Sequence, residues 1–182
     1  MPRVPEVNLV PDPPFQQLQG LDEQTKLLRN AFGCFPTGVV AVSAVANEEP
    51  VCLIASSFVA VSIDPALVAF CVQWSSYTWD VLKVLPRLGI SVLGYQHNEH
   101  VRQLASRAEN KFEQLNLSIS PEGAVFIDGA TAWLDCTLDN VLPAGDHGIV
   151  LLRINALTTR PQEEPLVFHG SEFRNLESKK PA

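Results

Sequence analysis

Four serines in two adjacent pairs are the residues of this chain best suited to hold an anion: Ser56–Ser57 and Ser75–Ser76. The first pair lies inside an apolar run from Val51 to about Ile63. The second follows the apolar run Leu67–Val72, and a helical pattern begins directly behind it. Hydroxyls beside the free N–H groups of a helix start form a favourable seat for phosphate. With a formal net charge of -7 and no cluster of Lys and Arg, the chain offers no basic field. An anion must therefore be held by local donors, and nucleic acid is excluded as a partner. The alternative reading is that the hydroxyls only hydrogen-bond within their own strand. They are not nucleophiles: no G-x-S-x-G elbow surrounds them, and no His–Asp partner is evident.

Two further stretches can do chemistry. Thr37–Gly38 combines a hydroxyl, an N–H and a position without a side chain, against which a flat ring can lie. His147 follows Gly145–Asp146 in a turn and opens a strand, where its ring either closes the turn or faces a cavity. His97 and His100 stand among polar residues at the start of a helix and read as solvated surface, and His169 is ambiguous. No H-E-x-x-H and no C-x-x-C occurs, so a metal site is not expected. Cys34, Cys52, Cys71 and Cys136 read as reduced, structural thiols.

The elements that must position these residues follow from periodicity. Met1–Gly20 holds five prolines and is an extended arm, either loose or laid over a second subunit. Asp22 caps a helix running to about Gly33, with Leu28, Ala31, Phe32 and Phe35 as its core-facing stripe. A buried strand follows over Val39–Val45, then a turn at 47–50. The run Val51–Ile63 reads as one long, bent strand, and Leu67–Val72 as a strand apolar on both faces. Ser75 caps a second helix, with Trp74 and Trp79 at the staple positions; Pro86 ends it. Gly89–Gly94 is a strand. Asn98 caps a third helix, whose buried face is Val101, Leu104, Ala105 and Ala108. Residues 112–123 are polar and irregular. Strict alternation over 132–139 marks a strand, and the Ala144–Gly145–Asp146 turn folds it into a hairpin with Gly148–Leu157. Leu166–Phe168 is a short strand, and residues 177–182 form a loose tail.

Strands outnumber helices and follow one another through short turns. This predicts a mostly β fold, an antiparallel barrel with helices at its ends, in one domain over 21–176. The 182 residues, 46% hydrophobic and 18% charged, suit a folded globule. No apolar run reaches the ~20 residues of a membrane span, and no signal peptide is visible. No membrane association and a cytoplasmic location are expected. Neither G-x-G-x-x-G nor a P-loop occurs, so Rossmann and P-loop nucleotide binding are unsupported.

Eight stretches in fixed order make the chain resemble the flavin reductase-like family. They are Phe35-Pro36-Thr37-Gly38-Val39-Val40-Ala41-Val42, Ala55-Ser56-Ser57-Phe58, Val61-Ser62-Ile63-Asp64-Pro65-Ala66-Leu67-Val68, Ser75-Ser76-Tyr77-Thr78-Trp79, Arg107-Ala108-Glu109-Asn110-Lys111-Phe112, Ala132-Trp133-Leu134-Asp135-Cys136, Gly145-Asp146-His147 and Pro165-Leu166-Val167-Phe168-His169-Gly170. The resemblance implies a Greek-key split β-barrel that binds FMN or FAD and reduces it with NADH or NADPH. It also implies a homodimer that supplies reduced flavin to a partner monooxygenase. By position, Thr37, Gly38 and Val39 would lie along the flavin ring, and Ala55, Ser56 and Ser57 would serve its polar edge or ribityl chain. Ser75 and Ser76 would hold the phosphate, with charge from Arg107 or Lys111 and with Phe112 also against the cofactor. His147 would be the catalytic residue on the nicotinamide side, with Phe168 nearby. Hydride transfer between stacked rings needs no protein nucleophile, in keeping with a chain that shows no triad. The alternative is a flavin-binding split barrel without reductase turnover, acting as carrier or partner subunit.

Overall fold

A single break in one predicted strand organises the molecule. The computed structural model describes residue 18 and residues 20–108 and 110–176; most of the expected N-terminal arm and the whole C-terminal tail lie outside them. In chain order the elements are α1 (Leu21–Gly33), β1 (Thr37–Gly38), β2 (Val40–Ala46), β3 (Glu49–Ala55), β4 (Val59–Ser62), β5 (Leu67–Gln73), α2 (Tyr77–Leu82), β6 (Leu88–Val92), a 3-10 turn (Tyr95–His97), α3 (Val101–Leu104), β7 (Leu117–Ile119), β8 (Val125–Ile127), β9 (Ala132–Ala144), β10 (His147–Thr159), β11 (Val167–His169) and β12 (Glu172–Arg174). Seven strands form one antiparallel sheet in the order β3-β2-β6-β9-β10-β5-β4.

The expected long strand over 51–63 is two strands, β3 and β4, at opposite edges of this sheet. Laid flat, those edges would be about 29 Å apart at ~4.8 Å per strand. Residues 55 to 59 reach at most about 14 Å. The sheet must therefore curl until its edges nearly meet, as a split barrel does. Ser57 fastens the seam. Its Oγ accepts the Cys71 N–H at 2.8 Å and donates to the Cys71 carbonyl at 3.3 Å, which ties the connection between β3 and β4 to β5.

Period-two alternation divides the core. Val40, Val42 and Ala44 of β2 point into the barrel, with Ala55, Phe70, Leu88, Ile90, Val150 and Leu152. Val39 and Ala41 point the other way, into a second cluster with Cys52, Leu93, Val101, Leu104, Ile127 and Leu166. Trp79 and Leu82 of α2 enter the first cluster, and the Trp79 ring meets Phe70 edge-on at 5.7 Å. Thus α2 caps the barrel, and α3 packs through Val101 and Leu104 against the second cluster. Leu152 in β10 and Leu88 in β6 are under 2% exposed, but the far half of β10, including Leu157, is exposed.

Several local expectations are corrected. Gly20 stands at the N-cap of α1, so Asp22 lies inside the first turn. The predicted stripe of α1 does not face the core: Phe32 is 64% and Phe35 67% exposed. Ser76, not Ser75, caps α2, its Oγ accepting the Trp79 N–H at 3.2 Å. That shift places Trp74 and Trp79 outside the staple positions. Asn98 follows the 3-10 turn, and α3 starts only at Val101, without a side-chain cap. Of its predicted buried face, Val101 and Leu104 are buried while Ala105 and Ala108 are exposed. The stretch read as irregular contains β7, which pairs with β8. His97, expected at the surface, is 3% exposed. Its Nδ1 accepts the Gly94 N–H at 3.1 Å, and its Nε2 lies 2.9 Å from the Asp128 carbonyl, so Nε2 carries the hydrogen and pins two loops together. Cys52 and Cys136 are buried, whereas Cys34 and Cys71 are exposed. Among the described residues no helix is long and apolar enough to cross a membrane.

Candidate functional site

Four of the predicted residues converge on one cleft of about 1000 Å³, lined by Ser75, Ser76, Arg107 and Lys111. The end of β5 delivers Gln73 and Ser75, the start of α2 delivers Ser76, Tyr77 and Thr78, and the segment after α3 delivers Ser106, Arg107 and Lys111. The turn between β2 and β3 closes the far side with Asn47 and Glu49; Asn47 and Glu48 hold φ 50 and 68 there. Ser76 Oγ uses its acceptor capacity on its own helix, which leaves its O–H free to donate into the cleft. Arg107 and Lys111 form no ion pair with any described residue. Five hydroxyl side chains and two cations against one carboxylate suit a phosphate.

His147 opens β10 and is paired in register with Gln73, a cleft residue on the neighbouring strand. Its Nδ1 lies 2.7 Å from Asp146 Oδ1. That hydrogen bond, and then the charge of the imidazolium, hold the Asp146 carboxyl below its ordinary value. The carboxylate therefore receives a hydrogen from Nδ1, and Nε2 is the nitrogen left to meet a ligand.

The remaining predicted residues do not line this cleft. Thr37 and Gly38 form β1, which pairs with β11 so that Thr37 faces Phe168. Thr37 Oγ1 is shielded from solvent yet has no hydrogen-bond partner, and a Cβ at Gly38 would meet nothing within 4 Å. An orphaned hydroxyl beside open space fits a polar, flat ligand. Phe168 leans on Phe173, ring centroids 5.4 Å apart. Val39 and Ala55 are 2% and 7% exposed, and their side chains serve the two cores. Phe112 also packs against the second cluster. Ser57 is committed to the seam, while Ser56 is exposed beside it. Val51 and Ala55 share one face of β3, so the strand leads from the cleft, which Val51 lines, toward Ser56, about 17 Å along at ~3.3 Å per residue.

Sequence reasoning missed Asn47, Glu49, Tyr77, Thr78 and Ser106. Thr78 stands in the same Ser75-Ser76-Tyr77-Thr78 run and was legible as a donor. Asn47 and Glu49 reach the cleft only because β2 and β3 pair, which no local pattern states.

Comparison with known proteins bears on this arrangement. The pattern of the family described as "Flavin reductase like domain" matches residues 32–177. A flavin reductase of Pseudomonas putida is 35% identical over 146 residues, covering 80% of this chain and 86% of its own. An NADH-dependent FAD reductase of Streptomyces globisporus is 35% identical over 154 residues, 82% of this chain and 84% of its own. Among solved structures, the Streptomyces globisporus C-1027 NADH:FAD oxidoreductase SgcE6 in complex with NAD and FAD fragments superposes with a TM-score of 0.81 at 32% identity. It covers 90% of this chain and 99% of that one. A match over most of the chain, in sequence and in fold, places this protein in the flavin reductase like domain family.

Proposed function

We propose that the protein is an NAD(P)H-dependent flavin reductase whose cleft binds the phosphate of FMN or the pyrophosphate of FAD. The observation that carries this reading is the convergence of Ser75, Ser76, Arg107 and Lys111, which come from separate stretches of the sequence, on one cleft beside the strand that bears His147. A flavin bound there supplies the ring that takes up hydride from a reduced nicotinamide. The chain's own part is to bind and orient. Ser75, Ser76 and Thr78 donate to phosphate oxygens, and Arg107 and Lys111 balance their charge. Thr37 Oγ1 and Gly38 meet the ring. His147, oriented by Asp146, offers Nε2 to the nicotinamide carboxamide, so that the two rings meet in register.

The reduced flavin passes to a partner monooxygenase. Relatives support this step by their names: one is the reductase subunit HsaB of a flavin-dependent monooxygenase in Rhodococcus jostii, 30% identical over 84% of this chain. A homodimer is the second part of the proposal. Edge strand β4 exposes Val59 (54%), Val61 (49%) and the adjoining Ile63 (95%), an edge that a second copy would cover. Four unpaired thiols suit the reducing cytoplasm.

The test is a flavin titration joined to a steady-state assay of NADH absorbance with FMN and with FAD. Saturable flavin binding and turnover well above the protein-free rate are expected. Bound flavin with turnover no faster than the blank would replace the reductase by a carrier, and no binding would remove both.

A further inference from the structure

Trp74 is bolted to the turn that carries His147. Its main-chain N–H donates to the Asp146 carbonyl at 3.2 Å, and its indole Nε1–H donates to the Gly145 carbonyl at 3.3 Å. The far edge of the indole lies on Gly148, the residue after His147: a Cβ there would come within 2.6 Å of Trp74 Cη2 and 3.0 Å of Val141 Cγ1. One side chain thus grips the residues before and after His147, and the chain leads from it straight into Ser75 and Ser76 of the cleft.

The turn needs such a grip. Gly145 has φ 64, a conformation that its lack of a side chain allows but does not enforce. The Asp146 side chain is largely exposed and its partner among the described side chains is His147 alone, so it follows the turn rather than anchoring it. The two-residue turn projects beyond the last pair of β10 with β5, His147 with Gln73, and Trp74, the residue after Gln73, carries the attachment on to Gly145 and Asp146. Gly148 is buried because the indole covers it.

We propose that Trp74 is a positioning residue: it locks the Gly145–His147 turn against the end of β5 and so sets the place of the His147 ring relative to the serine cleft. This rests on the reading of His147 as the residue that meets the nicotinamide. Trp74 itself touches no reacting atom. It couples the two halves of the site, because any movement of Trp74 shifts Ser75 and His147 together.

The test uses Trp74→Phe, which keeps a ring over Gly148 but loses the bond to Gly145, together with His147→Ala and the double variant. In flavin-free protein, the His147 ring resonances, assigned by their loss in His147→Ala, should shift and broaden in Trp74→Phe, while those of the buried His97 stay in place. With FMN and NADH, Trp74→Phe should slow flavin reduction about tenfold, short of the ~10²-fold of a full 1 Å misplacement, and weaken flavin binding by a smaller factor. In the double variant the loss should be no greater than in His147→Ala alone. Gly148→Ala attacks the same contact from the other side and should reproduce the resonance shift if Trp74→Phe folds poorly. Unmoved His147 resonances, or losses that multiply in the double variant, would overturn the proposal. A His147→Ala protein as fast as the wild type would overturn the underlying reading of His147 and this proposal with it, whereas shifted resonances with full His147→Ala sensitivity but an unslowed Trp74→Phe would overturn this proposal alone.

Discussion

At the scale of residues, the cleft separates donors from structure. Ser76 does both in this account: its oxygen caps α2, and its O–H is the proposed donor to the phosphate. Ser76→Ala should therefore cost about 1 kcal/mol of stability through the cap, and should weaken FMN more than riboflavin, which lacks the phosphate. Equal losses in isothermal titrations of the two would remove Ser76 from the phosphate site. Ser75, which does not cap, is the cleaner probe, and Ser75→Ala should show the FMN-selective loss without the stability cost. The thiols divide by burial. Burial pushes Cys52 up to about 11 and Cys136 up to about 12, from an ordinary 9.0. A raised folded value means that the fold holds these protons longer than the unfolded chain does. Their stabilising effect is complete below pH 9 and is lost as pH rises through 11 and 12. Native protein at neutral pH should expose only Cys34 and Cys71 to an aromatic disulfide reagent, with Cys52 and Cys136 reacting only after denaturation; four fast thiols would contradict the buried assignment. Residue types singled out the serine pairs and His147, while Arg107 and Lys111 were expected only through the family resemblance. Residue types could not separate Ser57 from the other serines, because its bonds go to Cys71, fourteen residues on and on another strand.

At the scale of elements, strands with strict alternation were legible and short or interrupted ones were not. The β9–β10 hairpin lies where alternation and the Gly145 turn put it. The run 51–63 carries no breaker at Ser56–Ser57–Phe58, so its division into β3 and β4 is set by barrel closure, a property of the whole sheet. The stripe of α1 is amphipathic in sequence, yet Phe32 and Phe35 stay exposed among the described residues. Elsewhere the packing is unforgiving. A Cβ at Gly89 of β6 would be driven into the Val125 carbonyl oxygen of β8, close to its carbon and nitrogen as well. That contact is backbone and cannot yield as a side chain would. Gly89→Ala should cost about 3 kcal/mol in chemical denaturation; a change within error would mean that β8 does not cross β6 so closely.

At the scale of the molecule, the curled sheet, the two cores and the cleft at the capped end form one argument. The succession of strands through short turns predicted a mostly β fold, and ordered motifs predicted its family; both agree with the fold and with the relatives. The exposed β4 edge belongs to this scale too. The proposed dimer over this edge predicts that Val59→Lys lowers the sedimentation coefficient to that of a monomer, and a dimer that survives the substitution would move the interface elsewhere. The most direct measurement is a single turnover without oxygen: NADH deuterated at the transferred C4 position, mixed in stopped flow with protein and one equivalent of flavin. The account predicts bleaching of the flavin absorbance far above the protein-free rate, slowed by deuterium and slowed further in His147→Ala. Bleaching at the protein-free rate, with flavin shown to be bound, would contradict it.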